Sequence, residues 1–307
     1  MKSWRLNPIE IEGVIPAMVT LFDEEQRLDE DAMRTHVDFL IGKGVHGVFC
    51  LGSMGEFAYL SEYERNRTVE IVVDQAAGRV PVVVGTSHFS TRVSVKLSKE
   101  AERLGADAVM SILIPYFPLT EEMVYNYYKK LSEEVSLPIF IYNFPMVANF
   151  DISPETIAKL AELDNIVGLK DTVIDANHTK RVLELVPEDF VVMPGSELTL
   201  QATLEAGAKG AIFGTSNVDP APLCEVYRLY RAGNLDKARA KIHEATKLIE
   251  IMTIASLECG PSIIKNAMKL CGREINTTVR SPLPPLTSEQ VQKLRSTLEK
   301  LGLLHAT

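Results

Sequence analysis

Short apolar runs alternate with amphipathic stretches along residues 14–214 of this chain. The runs occupy residues 14–20, 46–51, 81–85, 107–112, 138–142, 166–170, 190–194 and 209–214. They are almost continuously apolar, which is typical of parallel strands that are buried on both faces. Between them apolar residues recur at helical spacing, as in residues 30–43, and Ser61 with Glu64 marks a helix start. Eight such units predict an α/β fold, a closed (β/α)8 TIM barrel.

Residues 232–304 have a different character, because they contain no strand-like run. Helical patterns cover 234–253, 261–272 and 287–302. We therefore predict a barrel domain over residues 1–231 and a C-terminal three-helix extension over residues 232–307. An open doubly wound sheet is the competing fold. The segment TLFDEEQRLDE after the first run argues against it, since this segment is acidic and cannot cradle a phosphate as the glycine-rich loop of such sheets does.

The net charge of −9 argues against a nucleic-acid partner, which would require a basic face. The lysines and arginines are scattered, so no polybasic patch for a membrane surface is visible. Residues 1–13 contain no apolar signal segment, and no run approaches the roughly 18 apolar residues of a membrane span. The four cysteines form no CxxC pair. These features predict a cytoplasmic protein with reduced thiols.

The residues that follow the predicted strands are candidates for a functional site, because (β/α)8 barrels carry their active sites at the carboxyl ends of the strands. Lys170 ends the sixth run and Tyr142 ends the fifth. Other polar or aromatic residues near strand ends include Ser53, His88, Tyr116, Phe117, Thr172, Glu197 and Thr215. We therefore expect Lys170 to lie in the mouth of the barrel among hydroxyl groups.

A lysine at a strand end most often reaches water with its ammonium group. In a buried mouth, however, the neutral amine is favoured, and a neutral lysine forms a Schiff base with a carbonyl compound. Such chemistry needs a proton shuttle, which Tyr142 and Ser53 could provide. A metal site is not predicted, because only His88 of the six histidines lies at a strand end. A G-x-S-x-G hydrolase elbow is also absent, since Cys50 takes the first glycine position.

Three motifs in order, GSMGEF, YNFP and GLKDT, resemble those of the dihydrodipicolinate synthase / N-acetylneuraminate lyase family of pyruvate-dependent class I aldolases. The likeness extends from about Gly13 to the C-terminal helices. It implies that Lys170 forms an imine with pyruvate or another 2-oxo acid, without a cofactor. It further implies that Tyr142 is the acid/base, and that Ser53 relays protons and, with the backbone amide of Met54, holds the carboxylate.

The resemblance also implies a homotetramer, a dimer of dimers, in which a tyrosine of a neighbouring subunit completes the proton relay. Tyr116 fills that position when IPYFPLTEE is aligned without a gap. A shift of one residue would place Phe117 there and break the relay. Ile212 matches a position whose backbone carbonyl faces the substrate in members of the family.

The identity of the second substrate depends on three positions. Synthases of the family carry an arginine two residues after the proline of YNFP, where this chain has Val147. Sialic-acid lyases carry two acids after the strand-7 glycine, Gly195, where this chain has only Glu197. The KDT sequence is most similar to 2-keto-3-deoxy-sugar-acid aldolases, whose threonine, here Thr172, contacts the substrate.

The resemblance therefore implies a lyase that makes or cleaves a 2-keto-3-deoxy sugar acid with pyruvate as the enamine partner. Three alternatives stay open at this point. The chain could be a dihydrodipicolinate synthase with an altered acceptor site, a dehydratase of the same family, or a non-catalytic protein that binds a 2-oxo acid. The intact set of Ser53, Tyr142 and Lys170 argues against the last of these, because binding alone needs no shuttle tyrosine beside the lysine.

Overall fold

The computed structural model describes residues 11–304. Residues 1–10, which were searched above for a signal segment, and His305 lie outside this range. Within this range eight strands occur in chain order: Gly13–Val14 (β1), Val48–Cys50 (β2), Val82–Gly85 (β3), Ala108–Ser111 (β4), Ile139–Asn143 (β5), Ile166–Asp171 (β6), Val191–Pro194 (β7) and Gly210–Ala211 (β8). Each of them overlaps one of the predicted runs, with the two outermost strands shorter than expected.

Helices follow the strands and continue to the C-terminal end of the described range. Their bounds are Glu30–Gly42 (α1), Glu62–Ala76 (α2), Thr91–Arg103 (α3), Glu121–Glu134 (α4), Pro145–Ala148 (α5), Pro154–Ala161 (α6), Ala176–Leu185 (α7), Leu200–Glu205 (α8), Ala221–Arg231 (α9), Leu235–Thr246 (α10), Gly260–Leu270 (α11) and Ser288–Lys300 (α12). The last three lie in the segment for which three helices were predicted. The short helix α5 was not predicted.

The strands close into a parallel barrel. β2 to β7 pair in chain order, and β1 pairs with β8. Between the β1 segment and β2, Ala17 forms a parallel bridge to Phe49. Between the β8 segment and β7, the N–H of Ile212 donates to the carbonyl of Pro194 at 3.0 Å. The ladder between β1 and β2 is thin because Pro16 has no N–H to donate. The predicted (β/α)8 barrel with C-terminal helices is therefore confirmed.

Helix starts follow the signals in the sequence. The Ser61 hydroxyl accepts from the Glu64 N–H at 3.3 Å, and the Glu64 carboxylate accepts from the Ser61 N–H at 2.9 Å. This reciprocal pair is the capping box that the sequence indicates. The prediction of one helix over 234–253 was wrong in part. α10 ends at Thr246, whose hydroxyl donates back to the Ile242 carbonyl, and a 3-10 segment, Lys247–Thr253, follows.

The larger of two apolar clusters among the described residues includes residues of β2 to β7 and continues into the C-terminal helices, while the smaller one packs β1 and β8 against α8 and α9. Ile263, Ile264, Leu294 and Leu298 are fully buried and belong to the same cluster as the strand residues. The division at residue 231 stays a prediction. All four cysteines are free thiols. Across residues 11–304 no helix is long and apolar enough to span a membrane.

Candidate active site

Lys170 and Tyr142 lie side by side at the carboxyl ends of β6 and β5. They are direct partners in the strand register and are only 4% and 3% exposed. The Lys170 Nζ lies 4.3 Å from the centroid of the Tyr142 ring and 5.3 Å from that of Phe49. The amine therefore does not reach solvent as an ordinary strand-end lysine would, but sits over two aromatic rings inside the barrel mouth.

Ser53 joins this pair through its hydroxyl. The Ser53 Oγ lies 3.4 Å from the Tyr142 hydroxyl, and the two groups can share a hydrogen bond. The loop that carries Ser53 requires glycine at Gly52, because a Cβ there would lie 2.6 Å from the Phe49 ring. The predicted trio of Ser53, Tyr142 and Lys170 is thus assembled in one place from three strand ends.

A second polar group lies behind Lys170 and Tyr142, on the outer face of the same two strands. Asn143 and Asp171 are also register partners, and the Asn143 amide donates to the Asp171 carboxylate at 2.9 Å. The same carboxylate accepts from the Thr179 hydroxyl at 2.7 Å and from His178 Nδ1 at 2.9 Å. Because neighbouring strand residues point to opposite faces, this group fixes the alignment of β5 and β6 without entering the barrel.

His178 is held in its charged form by this arrangement. Its Nδ1 faces Asp171, and its Nε2 faces the Ile152 carbonyl at 2.9 Å, so both ring nitrogens must donate. Burial by itself lowers the pKa of His178. The hydrogen bond and charge of Asp171, helped by the Ile152 carbonyl and by Asp151, outweigh that effect and raise the pKa to about 9.

Thr172, Gly195 and Glu197 border the trio on the strand β6 and β7 side. The Thr172 hydroxyl oxygen is buried and has no hydrogen-bond partner among residues 11–304. A Cβ at Gly195 would lie 2.0 Å from that oxygen and 3.1 Å from Lys170 Cε, so only glycine fits there. Glu197 is 7% exposed and accepts from the Thr215 hydroxyl. Burial raises the pKa of Glu197, against the opposing effects of Thr215 and Lys170.

The remaining predicted contacts are more dispersed. The Met54 side chain packs against Gly214 and Gly260. A Cβ atom would lie 2.9 Å from it at Gly214 and 3.0 Å from it at Gly260. Ile212 is fully buried next to β7. Val147, on α5, is 46% exposed, and its apolar side chain cannot form an ion pair with a substrate carboxylate.

Tyr116 is not brought to the trio within one chain. It is 86% exposed and packs edge-on against Phe117, which is 71% exposed, with ring centroids 5.0 Å apart. The choice between the two residues for the relay position therefore stays a prediction.

Several supporting residues were not predicted. The Tyr128 hydroxyl donates to the Ser111 carbonyl at 2.5 Å and accepts from the Tyr142 N–H at 3.3 Å, which fixes the backbone of Tyr142. Phe49 forms the aromatic floor under Lys170. Neither residue carries a local sequence signal, since an aromatic residue in a strand or helix is most often only part of the core. Over the described range no group of three or more His, Cys, Asp or Glu side chains is arranged to hold a metal ion.

Comparisons with known proteins match nearly the whole chain. The model of the dihydrodipicolinate synthetase family matches residues 10–301. The chain is 38% identical over 298 residues to 4-hydroxy-tetrahydrodipicolinate synthase of Methanopyrus kandleri, with 96% of this chain and 98% of that protein covered. It is 34% identical to the probable 2-dehydro-3-deoxy-D-pentonate aldolase YjhH of Escherichia coli, with 95% and 98% covered.

A solved structure gives the same result. The crystal structure of YagE from E. coli K12 in complex with pyruvate, a prophage protein of the dihydrodipicolinic acid synthase family, superposes with a TM-score of 0.92. Its sequence is 31% identical, and the match covers 96% of this chain and 99% of that one.

Proposed function

The chain belongs to the dihydrodipicolinate synthetase family, whose members are carbon–carbon lyases, and from this premise we propose that it makes or cleaves a 2-oxo-3-deoxy sugar acid through an imine on Lys170. One observation carries the proposal. The Lys170 amine is buried against the Tyr142 ring, and the Tyr142 hydroxyl is within reach of Ser53. This proximity of an amine, a phenol and a hydroxyl supports the proposal, because imine chemistry requires a nucleophile, a proton shuttle and a relay.

The reaction begins when the unprotonated amine of Lys170 adds to the C2 carbonyl of pyruvate. Loss of water gives an imine, and Tyr142 delivers and removes the protons that this step needs. When C3 loses a proton, the imine nitrogen accepts the electron pair and an enamine forms. The enamine C3 then attacks the aldehyde carbon while Tyr142 donates to the aldehyde oxygen the proton that left C3, and the reverse reaction breaks the same carbon–carbon bond. Water finally releases the product and restores the amine.

The proposed acceptor is a neutral hydroxyaldehyde. Thr172 offers a buried hydroxyl that no protein group satisfies within the described range, and Glu197 lies near Lys170 at the end of β7. Both suit the hydroxyl groups of a sugar chain. Val147 and Met146 are exposed and apolar, so α5 offers no bidentate partner to an acceptor carboxylate. The names of two E. coli relatives support this choice, the probable 2-dehydro-3-deoxy-D-pentonate aldolase YjhH and the putative 2-dehydro-3-deoxy-D-gluconate aldolase YagE, the latter 33% identical to this chain.

Borohydride trapping with pyruvate, followed by intact mass and peptide mapping, tests the proposal. We expect an adduct on Lys170 and none in the Lys170→Ala variant. Lys265 provides an internal control, because it is also fully buried but lies on α11. We expect no adduct on it. An adduct on another lysine would move the nucleophile elsewhere. A folded protein that forms no adduct in excess pyruvate would refute imine chemistry and favour a binding protein.

A dihydrodipicolinate synthase is the second candidate, favoured by the 38% identity to the Methanopyrus kandleri enzyme. An aldehyde panel separates it from the first. Glyceraldehyde and glycolaldehyde represent neutral hydroxyaldehydes, and aspartate semialdehyde represents an acceptor with a carboxylate. Preference for the neutral acceptors supports the proposal, whereas preference for the carboxylate-bearing one supports the synthase. Release of water from a sugar acid without carbon–carbon cleavage would instead identify a dehydratase.

A further inference from the structure

A fully buried ion pair joins the loop of Ser53 to the C-terminal helix α11. The side chains of Glu56 and Lys265 are both 0% exposed, and Lys265 Nζ donates to Glu56 Oε1 at 2.5 Å. The same ammonium group donates to the Thr278 carbonyl at 2.7 Å and lies 4.4 Å from the Phe22 ring centroid. The second carboxylate oxygen accepts from the Arg280 N–H at 2.7 Å. The proposed reaction uses neither charged group.

Stability alone does not account for such a pair. Removing two charges from water costs several kcal/mol for each ion, and apolar residues of similar volume are often as stable. Burial lowers the pKa of Lys265 to about 8 despite the attraction of Glu56, which shows how strongly the site disfavours the charge. The geometry of this pair directs attention to the position that it enforces.

That position is the conformation of the Ser53 loop. Two non-glycine residues with left-handed backbone, Leu51 (φ 58°) and Glu56 (φ 56°), flank the loop. Such residues are strained by about 1 kcal/mol or more each and persist only where their surroundings hold them. The Glu56 N–H donates to the Ser53 carbonyl at 3.1 Å, so Glu56 and Ser53 belong to one turn.

A second contact between the loop and α11 lies beside Ser53. The Met54 side chain packs on Gly260, the first residue of α11, where a Cβ would lie 3.0 Å from Met54 Cε. Helix α11 therefore touches the loop at Met54 and at Glu56. The two contacts are two residues apart in the loop and five apart in the helix.

We propose that Glu56 and Lys265 are positioning residues that tie α11 to the loop and hold the Ser53 hydroxyl at Tyr142. The inference rests on the proposed function for its effect on the reaction, but its structural part is independent of catalysis. It gives the C-terminal helices a role in the active site, although none of their residues reaches the reacting atoms.

The test uses the double variant Glu56→Gln/Lys265→Met. A single substitution would leave one uncompensated charge in the core, which is strongly destabilising and endangers folding. In the double variant no charge is left buried, and the side-chain carbonyl of the introduced glutamine can still accept from the Arg280 N–H. Leu294→Ala is the matched control, because Leu294 is fully buried in α12 and its truncation weakens the same helical segment away from the loop.

Hydrogen exchange is the first readout. We expect faster exchange of the amides of residues 52–56 in the double variant than in Leu294→Ala, with β3 to β6 equally protected in both. Equal loop exchange in the two variants would overturn the proposal. This measurement needs no turnover, so it decides the structural part even if wild-type protein forms no pyruvate adduct, an outcome that would refute only the proposed function.

The rate of pyruvate trapping on Lys170 is the second readout. We expect it to fall about tenfold in the double variant, less than the full loss of a proton relay costs. In a Ser53→Ala background the double variant should then have no further effect, because both changes remove the same hydroxyl from the relay. A rate equal to that of Leu294→Ala, or an effect that persists without the Ser53 hydroxyl, would show that the pair acts only on stability.

Discussion

At the scale of single residues, the Tyr142 hydroxyl is the group whose removal separates imine formation from turnover. Tyr142→Phe keeps the ring that lies 4.3 Å from Lys170 Nζ and removes only the hydroxyl near Ser53. We expect some pyruvate still to be trapped on Lys170, though more slowly, while the steady-state rate falls on the order of 10²-fold or more from lost acid/base catalysis. Tyr63→Phe, at a 76% exposed position, is the control. Near-normal turnover of Tyr142→Phe would rule out the shuttle role.

Thr172 allows a prediction in which stability and activity change in opposite directions. Its buried hydroxyl has no partner in the described part of the chain, so Thr172→Val should leave the free energy of unfolding unchanged or raise it. If the hydroxyl binds the acceptor, kcat/KM for the aldehyde should fall about tenfold, the worth of one hydrogen bond. Trapping of pyruvate should not change.

Thr179→Val is the matched control for that experiment, because the Thr179 hydroxyl donates to Asp171 at 2.7 Å. Here the substitution removes a satisfied hydrogen bond to a charged group and should cost about 1.5–3 kcal/mol of stability. Urea denaturation and aldehyde kinetics on both variants measure the two effects. A destabilised Thr172→Val with normal kinetics would assign its hydroxyl to the fold and not to the substrate.

Sequence reasoning anticipated the proximity of residues that end strands, but not the residues that support them. Lys170, Tyr142 and Ser53 were predictable because each ends or closely follows an apolar run, and a closed barrel brings all strand ends together. The pairing of Glu56 with Lys265 was not predictable, since the two residues are 209 positions apart and only the packing of α11 makes them neighbours. The Thr172 hydroxyl was a candidate by resemblance, but its lack of a partner within the described range is visible only in the structure.

At the scale of elements, the outer-face group of β5, β6 and α7 makes stability depend on pH. The folded pKa of His178, about 9, lies above its ordinary value of 6.5. The folded state therefore binds the proton more tightly, and the stabilisation is complete below pH 6.5 and is lost as the pH rises through 9. The predicted loss is up to about 3 kcal/mol, because each unit of pKa difference is worth about 1.4 kcal/mol.

His178→Gln isolates this contribution, since glutamine can donate to Asp171 but does not titrate. Urea denaturation between pH 6 and 10 should show a steeper decline for the wild-type protein than for the variant. Parallel curves would mean that the imidazole carries no extra proton in the folded state. A catalytic effect is also expected above pH 9, because the same group aligns the strands that carry Tyr142 and Lys170.

The elements themselves were largely predictable, apart from their ends. Strand positions followed from continuous apolar runs, and the starts of α2, α4 and α6 from the caps Ser61, Thr120 and Ser153. The two-residue lengths of β1 and β8 did not, because the pairing of each depends on the partner that barrel closure supplies. The short α5 was missed because it has only four residues, too few for any periodic pattern.

At the scale of the whole molecule, a buried chain of hydrogen bonds ties the C-terminal segment to the place where the barrel closes. Arg273, just after α11, donates to His36 Nδ1 at 2.9 Å, and His36 Nε2 lies 2.8 Å from Asn217 Oδ1. Asn217 in turn bonds the backbone of Val19 and Ala17 next to β1. These hydrogen bonds and the Lys265–Glu56 ion pair make the C-terminal helices part of the barrel's support. Such contacts between distant residues cannot be predicted from apolar periodicity.

The exposure of Tyr116 leads to the last prediction, which concerns subunits. If the chain forms a tetramer of paired dimers in which Tyr116 enters the partner's site, two inactive variants should complement each other. Lys170→Ala subunits lack the nucleophile but still supply Tyr116, and Tyr116→Phe subunits retain Lys170 but lack the relay hydroxyl. In a mixed dimer, the site of the Tyr116→Phe subunit receives an intact tyrosine from its neighbour.

After dissociation and random reassociation at equal amounts, about a quarter of all sites should be complete. If each subunit used its own Tyr116, no mixed site would contain both groups and mixing would restore nothing. Phe117→Ala with Lys170→Ala serves as the parallel pair: if Tyr116 is the relay residue, Phe117→Ala should retain activity by itself and need no complementation.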